Sequence, residues 1–394
     1  MQTVVLAAGR GTRMRPLTDR RPKPMLPVAD RPLVAHTVEA AVEAGADRIV
    51  LVVGYESEAV REYVDAADLD VPVEFAVQEE RAGTADAVRA AAPHLADEPF
   101  AVLNGDALFD RDGLDELYAD GPAVASVRVD DPTQYGVLDV EDGRVAGIVE
   151  KPTDPPSDLI NAGAYQFPAD AREWLDVPES ERGEREITDV LARTIERADV
   201  RPVPLERWLD VGRPWELLEA NEWKLSALDR RIEGTVSDDA TVDGRVVVEP
   251  GATVNDGVVI EGPALIRAGA TVGPNAYVRG ATLVGPDASV GHAVEVKNSV
   301  LMRGAAANHL SYVGDSILGR NVNFGAGTVV ANLRHDDEPV KLTVKGERVS
   351  TGRRKLGVVV GDGAKTGIDT NLNAGVTLST GATTAPGESV TRDR

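Results

Sequence analysis

In the first 110 residues of the chain, short β-branched runs alternate with stretches whose apolar residues recur at helical spacing. Residues 33–46 show the helical pattern, with Val34, Val38 and Ala41 on one face. This alternation predicts an α/β, doubly wound (Rossmann-like) domain with a mainly parallel sheet. Ligands of such sheets bind at the carboxyl ends of the strands. The predicted strands are residues 3–8, 48–54, 73–78 and 100–106.

A different period begins at Val236, where an aliphatic residue follows at every sixth position as far as Met302. A period of six fits neither an α-helix nor an alternating strand, and it predicts a left-handed parallel β-helix of hexapeptide repeats. Between Val236 and Met302, the predicted inward residues are Val242, Val248, Val254, Ile260, Ile266, Val272, Val278, Val284, Val290 and Val296.

The hexapeptide register is predicted to break at Asn308, and a charged excursion covers residues 332–356. Helical spacing over 215–232 joins the two parts, so we expect the α/β domain over 1–230 and the β-helix over 231–394. The later inward positions are Leu318, Phe324, Val330, Val360, Leu372, Leu378 and Val390, with Thr366 and Thr384 between them.

Composition narrows the function. The 394 residues include no cysteine, which excludes disulfides, thiolate nucleophiles and zinc-thiolate sites. A net charge of -23 argues against nucleic acid as a partner. No apolar run reaches the roughly 18 residues of a membrane span, and the chain starts as a strand, so we expect a cytoplasmic protein with no membrane partner. The acid excess with only eight lysines favours a halophilic archaeon over an ordinary acidic cytosolic protein.

The stretch "LAAGRGTRMRPLTDRRPKPM" (6–25) places Gly9 and Gly11 before Arg13 and Lys23. It matches neither a Walker loop nor a dinucleotide fingerprint. A glycine turn after a strand can still present N–H groups to phosphates, and the cations neutralise them. Asp106 in "NGD" and Asp210 in "WLDVG" are candidate ligands of Mg²⁺. This set of residue types predicts phosphoryl or nucleotidyl transfer.

The motifs "LAAGRGTRMRPLT…PKPM", "Q…AGT", "NGD", "YGV", "EKP", "NAG" and "WLDVG" resemble the sugar-1-phosphate nucleotidylyltransferase family. With the hexapeptide repeats behind them, the whole chain is similar to the bifunctional N-acetylglucosamine-1-phosphate uridylyltransferase/glucosamine-1-phosphate acetyltransferase (GlmU-type) family in its archaeal form. The resemblance implies that the phosphate of a sugar 1-phosphate attacks the α-phosphorus of UTP or dTTP and that Mg-pyrophosphate leaves.

The same resemblance implies roles for individual residues of the first domain. Arg13 and Lys23 would be catalytic, neutralising the triphosphate and bridging the α-phosphate to the sugar phosphate. Asp106 and Asp210 would hold Mg²⁺. Ala8, Gly9 and Gly11 would contact the nucleotide, and Gln78, Gly83 and Thr84 would read its base, since an amide can match the donor and acceptor of an imide edge. The implied sugar-phosphate site is Gly136, Glu150, Lys151 and Asn161.

In the second domain, the string around His309 resembles the acetyltransferase half of the bifunctional family. By that resemblance His309 is the general base for attack of an amino sugar on acetyl-CoA, the co-substrate. Such domains resemble homotrimers. The active-site lysine is Lys341 or Lys345, of which we favour Lys341. The implied positioning and phosphate-binding residues are Tyr312, Asn323, Asn332, Arg279 and Lys297.

Two departures from the bacterial pattern leave alternatives open. Leu333 stands where an aromatic hydroxyl residue is usual, and the excursion to Leu356 is long. A monofunctional glucose-1-phosphate thymidylyl- or uridylyltransferase with a trimerising β-helix scaffold is therefore the second reading. A regulatory subunit that has lost catalysis is the third, although Arg13, Lys23 and Asp106 are all present. Uracil and thymine differ by only one methyl group, so the sequence leaves open which of the two bases is bound. The identity of the sugar is also open.

Overall fold

The structure is a computed structural model that describes residues 1–54, 57–67, 69–80, 82–180 and 183–394. Contacts divide the chain into two compact units. The first consists of Met1–Arg10, Pro22–Met25 and Pro32–Asp210, and the second of Gly11–Arg21, Leu26–Arg31 and Val211–Arg394. This grouping by contact does not test the domain boundary expected near residue 230, which stays a prediction.

The strands preceding the β-helix form one large sheet and two small ladders. Their bounds are β1 Gln2–Ala7, β2 Pro27–Val28, β3 Arg31–Pro32, β4 Arg48–Val53, β5 Val73–Val77, β6 Phe100–Asn104, β7 Ala107–Phe109, β8 Ala123–Arg128, β9 Gly136–Glu141, β10 Arg144–Glu150, β11 Leu159–Phe167, β12 Arg201–Pro204 and β13 Trp208–Asp210. The large sheet has the order β10-β9-β11-β6-β1-β4-β5, and β8 pairs with β11 and β12.

The four strands predicted from sequence are confirmed as β1, β4, β5 and β6, each ending one or two residues earlier than expected. They form the parallel half of the sheet, whereas β11 runs antiparallel to β6 and begins a mixed half. Their side chains explain the placement: Val4, Val50 and Val102 are fully buried on one face of the sheet. The domain is therefore Rossmann-like, with a mixed rather than wholly parallel sheet.

Six α-helices are present among the described residues. The helix predicted over 33–46 ends earlier, at Glu43, because Gly45 adopts φ +99° and stops the turn. The helix predicted over 215–232 ends at Ala227, and Arg231–Ile232 already belongs to the β-helix. The bounds are α1 Leu33–Glu43, α2 Glu58–Ala66, α3 Thr84–Ala91, α4 Arg111–Leu117, α5 Ile187–Ile195 and α6 Pro214–Ala227.

The second unit is a parallel β-helix of three sheets, consistent with the left-handed form. The first sheet contains Arg231–Ile232, Val246–Val248, Ala264–Ile266, Thr282–Val284, Val300–Leu301, Ile317–Leu318, Val359–Val360 and Thr377–Leu378. The second contains Thr235–Val236, Thr253–Val254, Thr271–Val272, Ser289–His292, Ala306–His309 and Asn323–Phe324. The third contains Thr241–Asp243, Val259–Glu261, Tyr277–Arg279, Glu295–Lys297, Tyr312–Gly314, Val329–Val330, Asn371–Leu372 and Ser389–Val390.

One column of aliphatic side chains fills the interior of the β-helix, and it corrects the predicted register. Val284 pairs with Leu301, so Leu301 rather than Met302 is the inward residue of its strand. The break therefore occurs before Met302 and not at Asn308, where the next inward residue is Ala307. Two shortened turns explain the shift, because Val296 and Leu301 are five positions apart instead of six, as are Val313 and Leu318.

The charged excursion after Asn332 contains an antiparallel hairpin formed by Lys341–Val344 and Glu347–Ser350. The inward threonines of the β-helix in this region are hydrogen-bonded to other threonines. The hydroxyls of Thr328 and Thr366 lie 2.7 Å apart, and those of Thr370 and Thr384 lie 2.8 Å apart. These pairs satisfy buried hydroxyls that would otherwise cost stability.

No helix within the described part of the chain is long and apolar enough to cross a membrane.

The corrected register predicts the outcome of placing a charge at neighbouring positions of one strand. Ala307→Asp buries a carboxylate among aliphatic side chains, and we expect it to lower the free energy of unfolding by about 3–5 kcal/mol. Ala306→Asp, the matched control, places the same group on the partly exposed face and is expected to cost far less. Denaturant unfolding at constant salt measures both variants. Equal losses, or a larger loss for Ala306→Asp, would contradict this register.

Candidate active site

Three segments that carry predicted site residues meet at one edge of the sheet in the first unit. Ala8 and Gly9 follow β1, Gln78 follows β5 and Asp106 follows β6. Strand β1 pairs in parallel with β4 on one side and with β6 on the other. The order of the strands in the sheet therefore changes direction at β1, which makes it a topological switch point. Such a switch point opens a crevice at the carboxyl ends of the strands, where α/β proteins bind ligands.

Close backbone contact fixes the position of Asp106. The amide N of Gly105 donates to the carbonyl oxygen of Leu6 over 2.9 Å. A Cβ atom at Gly105 would lie only 2.7 Å from the same oxygen and 3.0 Å from Val5 Cγ1. Only glycine lets the chain leaving β6 approach β1 this closely. Gly105 therefore determines where the carboxylate of Asp106 sits.

Lys23 and Asp106, two residues that the sequence assigned to catalysis and metal binding, form an ion pair. Lys23 Nζ donates to Asp106 Oδ2 over 2.6 Å. The lysine side chain is 6% exposed, whereas that of Asp106 is 37% exposed. A buried ammonium requires a counter-charge, and Asp106 provides it while still facing the crevice. The pair joins the second half of the opening motif to the end of β6.

The structure also brings the second predicted metal ligand to this place. Strand β13 pairs antiparallel with β7, and Asp210 lies opposite Ala107, the neighbour of Asp106. Two carboxylates at adjacent positions suit Mg²⁺, which takes oxygen ligands and often completes its shell with substrate phosphates and water. The described residues contain no group of three or more histidine, cysteine or acidic side chains that could hold a metal by themselves. The residues present therefore fit a metal that phosphate helps to bind.

The predicted base-reading residues lie together, but Gln78 is already hydrogen-bonded inside the protein. Its Nε2 donates to Gly83 O and to Asp86 Oδ2, each over 3.0 Å. Gly83 adopts φ +117°, and a Cβ there would lie 2.3 Å from Arg185 O. The hydroxyl of Thr84 accepts from the amide N of Ile187, the first residue of α5. The sequence reasoning missed Asp86, although the pattern "GTAD" places it in the first turn of α3.

The predicted sugar-phosphate residues lie on β9, β10 and β11. Gly136 is opposite Glu150, and a Cβ on Gly136 would lie 2.8 Å from Glu150 Oε2. Lys151 follows in the left-handed region at φ +47°, a conformation that costs energy for a residue with a side chain. Asn161 Nδ2 donates to the hydroxyl of Tyr165 over 2.6 Å. The structure thus fixes Asn161 by a contact within β11.

Gly11 and Arg13 belong to the second unit by their contacts. Gly11 adopts the left-handed conformation, and its carbonyl oxygen accepts from Met14 N over 2.9 Å and from Thr18 Oγ1 over 2.8 Å. These bonds form a compact turn. Arg13 lies in the middle of this turn, in the 3-10 helix Thr12–Met14, and its side chain is exposed.

Five of the predicted acetyltransferase residues lie on the second and third sheets of the β-helix: Arg279, Lys297, His309, Tyr312 and Asn323. His309 ends the strand Ala306–His309 and is exposed, and its register neighbour in the preceding coil is His292. Asn332 Nδ2 donates to the hydroxyl of Tyr312 over 3.2 Å. Burial raises the pKa of Tyr312, and the negative charges of Asp315 and Glu295 raise it further, so the phenol stays protonated. A neutral phenol can donate a hydrogen bond.

Both cations that were expected to hold the sugar phosphate are paired with carboxylates. Arg279 Nε donates to Glu295 over 2.8 Å, and Lys297 Nζ donates to both oxygens of Asp315 over 2.7 and 3.0 Å. Asp315 is almost fully buried and also accepts from Asn332 over 2.5 Å. The sequence reasoning missed both acidic partners. Glu295 lies two residues before Lys297, on the same outward face of one strand, which was a usable signal.

The remaining predicted residues lie on other elements than Tyr312, Arg279 and Lys297. Asn323 is exposed on the sheet that carries His309. Lys341 is the first residue of the excursion hairpin, and its carbonyl oxygen would lie 2.2 Å from a Cβ on Gly375. Lys345 lies at the hairpin turn, at φ +51°. The choice of Lys341 as the active-site lysine stays a prediction.

Comparison with known proteins shows the class of the chain. Residues 2–226 match the family described as "Nucleotidyl transferase", and residues 260–359 match the "GMPPB C-terminal domain". The solved structure of UDP-glucose pyrophosphorylase complexed with UDP-glucose is 27% identical, with a TM-score of 0.50, and the match covers 56% of this chain and 96% of that one. The first part of the chain therefore belongs to the nucleotidyl transferase family.

Two curated relatives extend the match over nearly the whole length. The bifunctional protein GlmU of Methanocaldococcus jannaschii is 44% identical over 95% of this chain and 91% of its own. The bifunctional sugar-1-phosphate nucleotidylyltransferase/acetyltransferase of Sulfurisphaera tokodaii is 37% identical over 100% of this chain and 98% of its own. The chain belongs to this archaeal bifunctional family, which confirms the resemblance of its motifs.

The contact at Gly105 makes a prediction about the site. Gly105→Ala forces a Cβ against Leu6 O, so the loop that carries Asp106 must move, and we expect nucleotidyl transfer to fall at least about tenfold. Gly147→Ala on β10 is the matched control, because its Cβ would find no atom nearer than 4.0 Å. Pyrophosphate release from nucleoside triphosphate and sugar 1-phosphate measures both. Equal activity in the two variants would show that this approach does not position Asp106.

Proposed function

We propose that the first domain transfers a nucleotidyl group from UTP or dTTP to a sugar 1-phosphate, N-acetylglucosamine 1-phosphate or glucose 1-phosphate, and releases pyrophosphate. The observation that carries the proposal is the Lys23–Asp106 ion pair at the switch point of the sheet. Nucleotidyl transfer needs little covalent help from a protein and depends on positioning and on neutralising phosphate charge. A buried cation next to an accessible carboxylate supplies these two functions in one place.

Each residue of the pair has a defined part in this reaction. A phosphate oxygen of the sugar 1-phosphate attacks the α-phosphorus, the bond to the bridging oxygen breaks, and the electron pair leaves with pyrophosphate. Lys23 holds the α-phosphate and the incoming phosphate close together, and Arg13 neutralises the triphosphate. Asp106 and Asp210 would hold Mg²⁺, which when bound neutralises charge that develops on the phosphate oxygens. Ala8, Gly9 and Gly11 contact the nucleotide.

The base and the sugar are bound by residues at the neighbouring strand ends. Gln78, Gly83 and Thr84 contact the base, and Gly136, Glu150, Lys151 and Asn161 line the sugar phosphate. A Cβ on Gly136 would lie 2.8 Å from Glu150 Oε2, so the glycine leaves room for this carboxylate, which supports placing the two residues in one site.

We also propose a second reaction in the β-helix, N-acetylation of an amino sugar 1-phosphate by acetyl-CoA. His309 takes a proton from the amine as its nitrogen attacks the thioester carbon, and the C–S bond then breaks to release CoA. The Tyr312–Asn332 hydrogen bond supports the proposal, because the family resemblance assigns both residues to this site. Asn323, Arg279, Lys297 and Lys341 complete it. The alternative is a β-helix that serves only as a scaffold.

A homotrimer through the β-helix is part of this proposal. Large apolar side chains stand exposed on its surface, including Leu310 at 65% and Ile368 at 54%. Contact between copies would remove such surface from water. A cytoplasmic location and adaptation to high salt stay predictions from composition.

The metal role of Asp106 is tested by Asp106→Asn, which keeps the shape of the side chain but removes its charge. We expect Mg²⁺-dependent pyrophosphate release to fall by at least about a hundredfold, since Mg²⁺ and Lys23 both lose a charged partner. Asp120→Asn, an exposed carboxylate outside the site, is the control and should keep full activity. Near-normal turnover of Asp106→Asn would remove this residue from the mechanism.

The second reaction is tested by incubating the protein with acetyl-CoA and glucosamine 1-phosphate and measuring free CoA. His309→Ala should lower CoA release by about a hundredfold or more while leaving pyrophosphate release unchanged. His335→Ala, which removes another exposed histidine, serves as the control. If the unmutated protein releases no CoA with any amino sugar 1-phosphate, the scaffold alternative holds.

A further inference from the structure

Asp86 is a buried carboxylate to which the proposed reaction gives no role. It lies in the first turn of α3 and is 6% exposed, like Gln78, whose Nε2 it accepts over 3.0 Å. Burial works to raise the pKa of Asp86, but hydrogen bonds from Arg89 and Gln78 outweigh it and hold the pKa below its usual value. The group is therefore an ionised acceptor at neutral pH.

The two partners of the Gln78 amide decide which way it points. Gly83 offers a carbonyl oxygen and Asp86 a carboxylate, and both groups can only accept. The NH₂ group of Gln78 must face them, since a flipped amide would bring its oxygen against two other oxygens. What Gln78 can offer a ligand is then its carbonyl oxygen. The expectation that the amide of Gln78 supplies both a donor and an acceptor to the base stays a prediction beside this arrangement.

A fixed carbonyl oxygen distinguishes between pyrimidines. Uracil and thymine carry an N3–H donor that such an oxygen can accept, whereas N3 of cytosine is itself an acceptor and would repel it. A site whose buried polar group is left unpaired by the wrong ligand discriminates strongly. The direction of the Gln78 amide therefore matters for specificity, and that direction depends on Asp86.

We propose that Asp86 is a positioning residue for base recognition, which turns the carbonyl oxygen of Gln78 toward the base so that it accepts the imide N–H of uracil or thymine. The inference rests on the proposed nucleotidyl transfer at this site. It assigns to Asp86 a role in specificity that acts through Gln78 and involves no contact between Asp86 and the nucleotide. Arg89, whose guanidinium donates to the other oxygen of Asp86 over 2.5 Å, is about half exposed and balances the charge.

The test compares kcat/KM for UTP, dTTP and CTP in the full-length protein and its variants. Asp86→Ala removes the charged one of the two acceptors and leaves only Gly83 O to hold the amide. We therefore expect KM for UTP to rise about tenfold and the preference for UTP over CTP to fall about tenfold. KM for the sugar 1-phosphate should not change. Asp86→Asn can still accept from Gln78 and should restore most of the preference. Arg89→Ala, which leaves the contact between Asp86 and Gln78 intact, is the control and should keep it.

A second substitution and a second background keep the outcome decisive. Asp86→Ser, whose hydroxyl is too short to reach Gln78, replaces Asp86→Ala if the alanine variant does not fold. In a Gln78→Ala background the serine or alanine change should have no further effect on the preference, because Asp86 acts only through Gln78. An unchanged preference in Asp86→Ala or Asp86→Ser would overturn the inference. Absence of nucleotidyl transfer from the unmutated protein would instead overturn the proposed function.

Discussion

The ion pair between Lys23 and Asp106 is the interaction on which the arrangement of the first domain depends. A lysine side chain this deeply buried is stable as a cation only with a counter-charge at hydrogen-bond distance, and Asp106 meets that need at 2.6 Å. Asp106 can be there only because Gly105 lets the end of β6 approach Leu6 O. Three strand ends and one loop are thereby held around a crevice whose charges suit a triphosphate.

A different constraint shapes the β-helix. Its aliphatic column tolerates a coil shortened by one residue, as at Leu301, because the outward side chains shift together with the inward ones. Partly buried or buried carboxylates lie beside the cations of the proposed acetyltransferase site. Asp315 is the centre of this network, with bonds from Lys297, Asn298 and Asn332. A substrate phosphate would have to share these cations with groups of the protein.

Much of this organisation could be predicted from sequence because apolar residues recur at regular intervals and glycines mark turns at the ends of strands. Strands β1, β4, β5 and β6 and the six-residue period carry strong local signals, and Asp106 stands out as an acid after a strand and a glycine. Met302 and Asn308 were misplaced because a coil shorter by one residue leaves no mark in hydrophobicity: Leu301 and Met302 are both apolar. The partners of Arg279 and Lys297 were missed because side-chain pairing across strands depends on three-dimensional register.

We propose that one chain carries two group-transfer sites that act on the same sugar phosphate. Mass spectrometry can identify the products formed when the purified protein, with Mg²⁺, receives glucosamine 1-phosphate, acetyl-CoA and UTP or dTTP together. We expect a nucleotide-linked N-acetylated amino sugar, with CoA and pyrophosphate released in equal amounts at completion. A nucleotide-linked sugar formed only from a sugar phosphate that is supplied already acetylated or without an amine, with no CoA released, would contradict it.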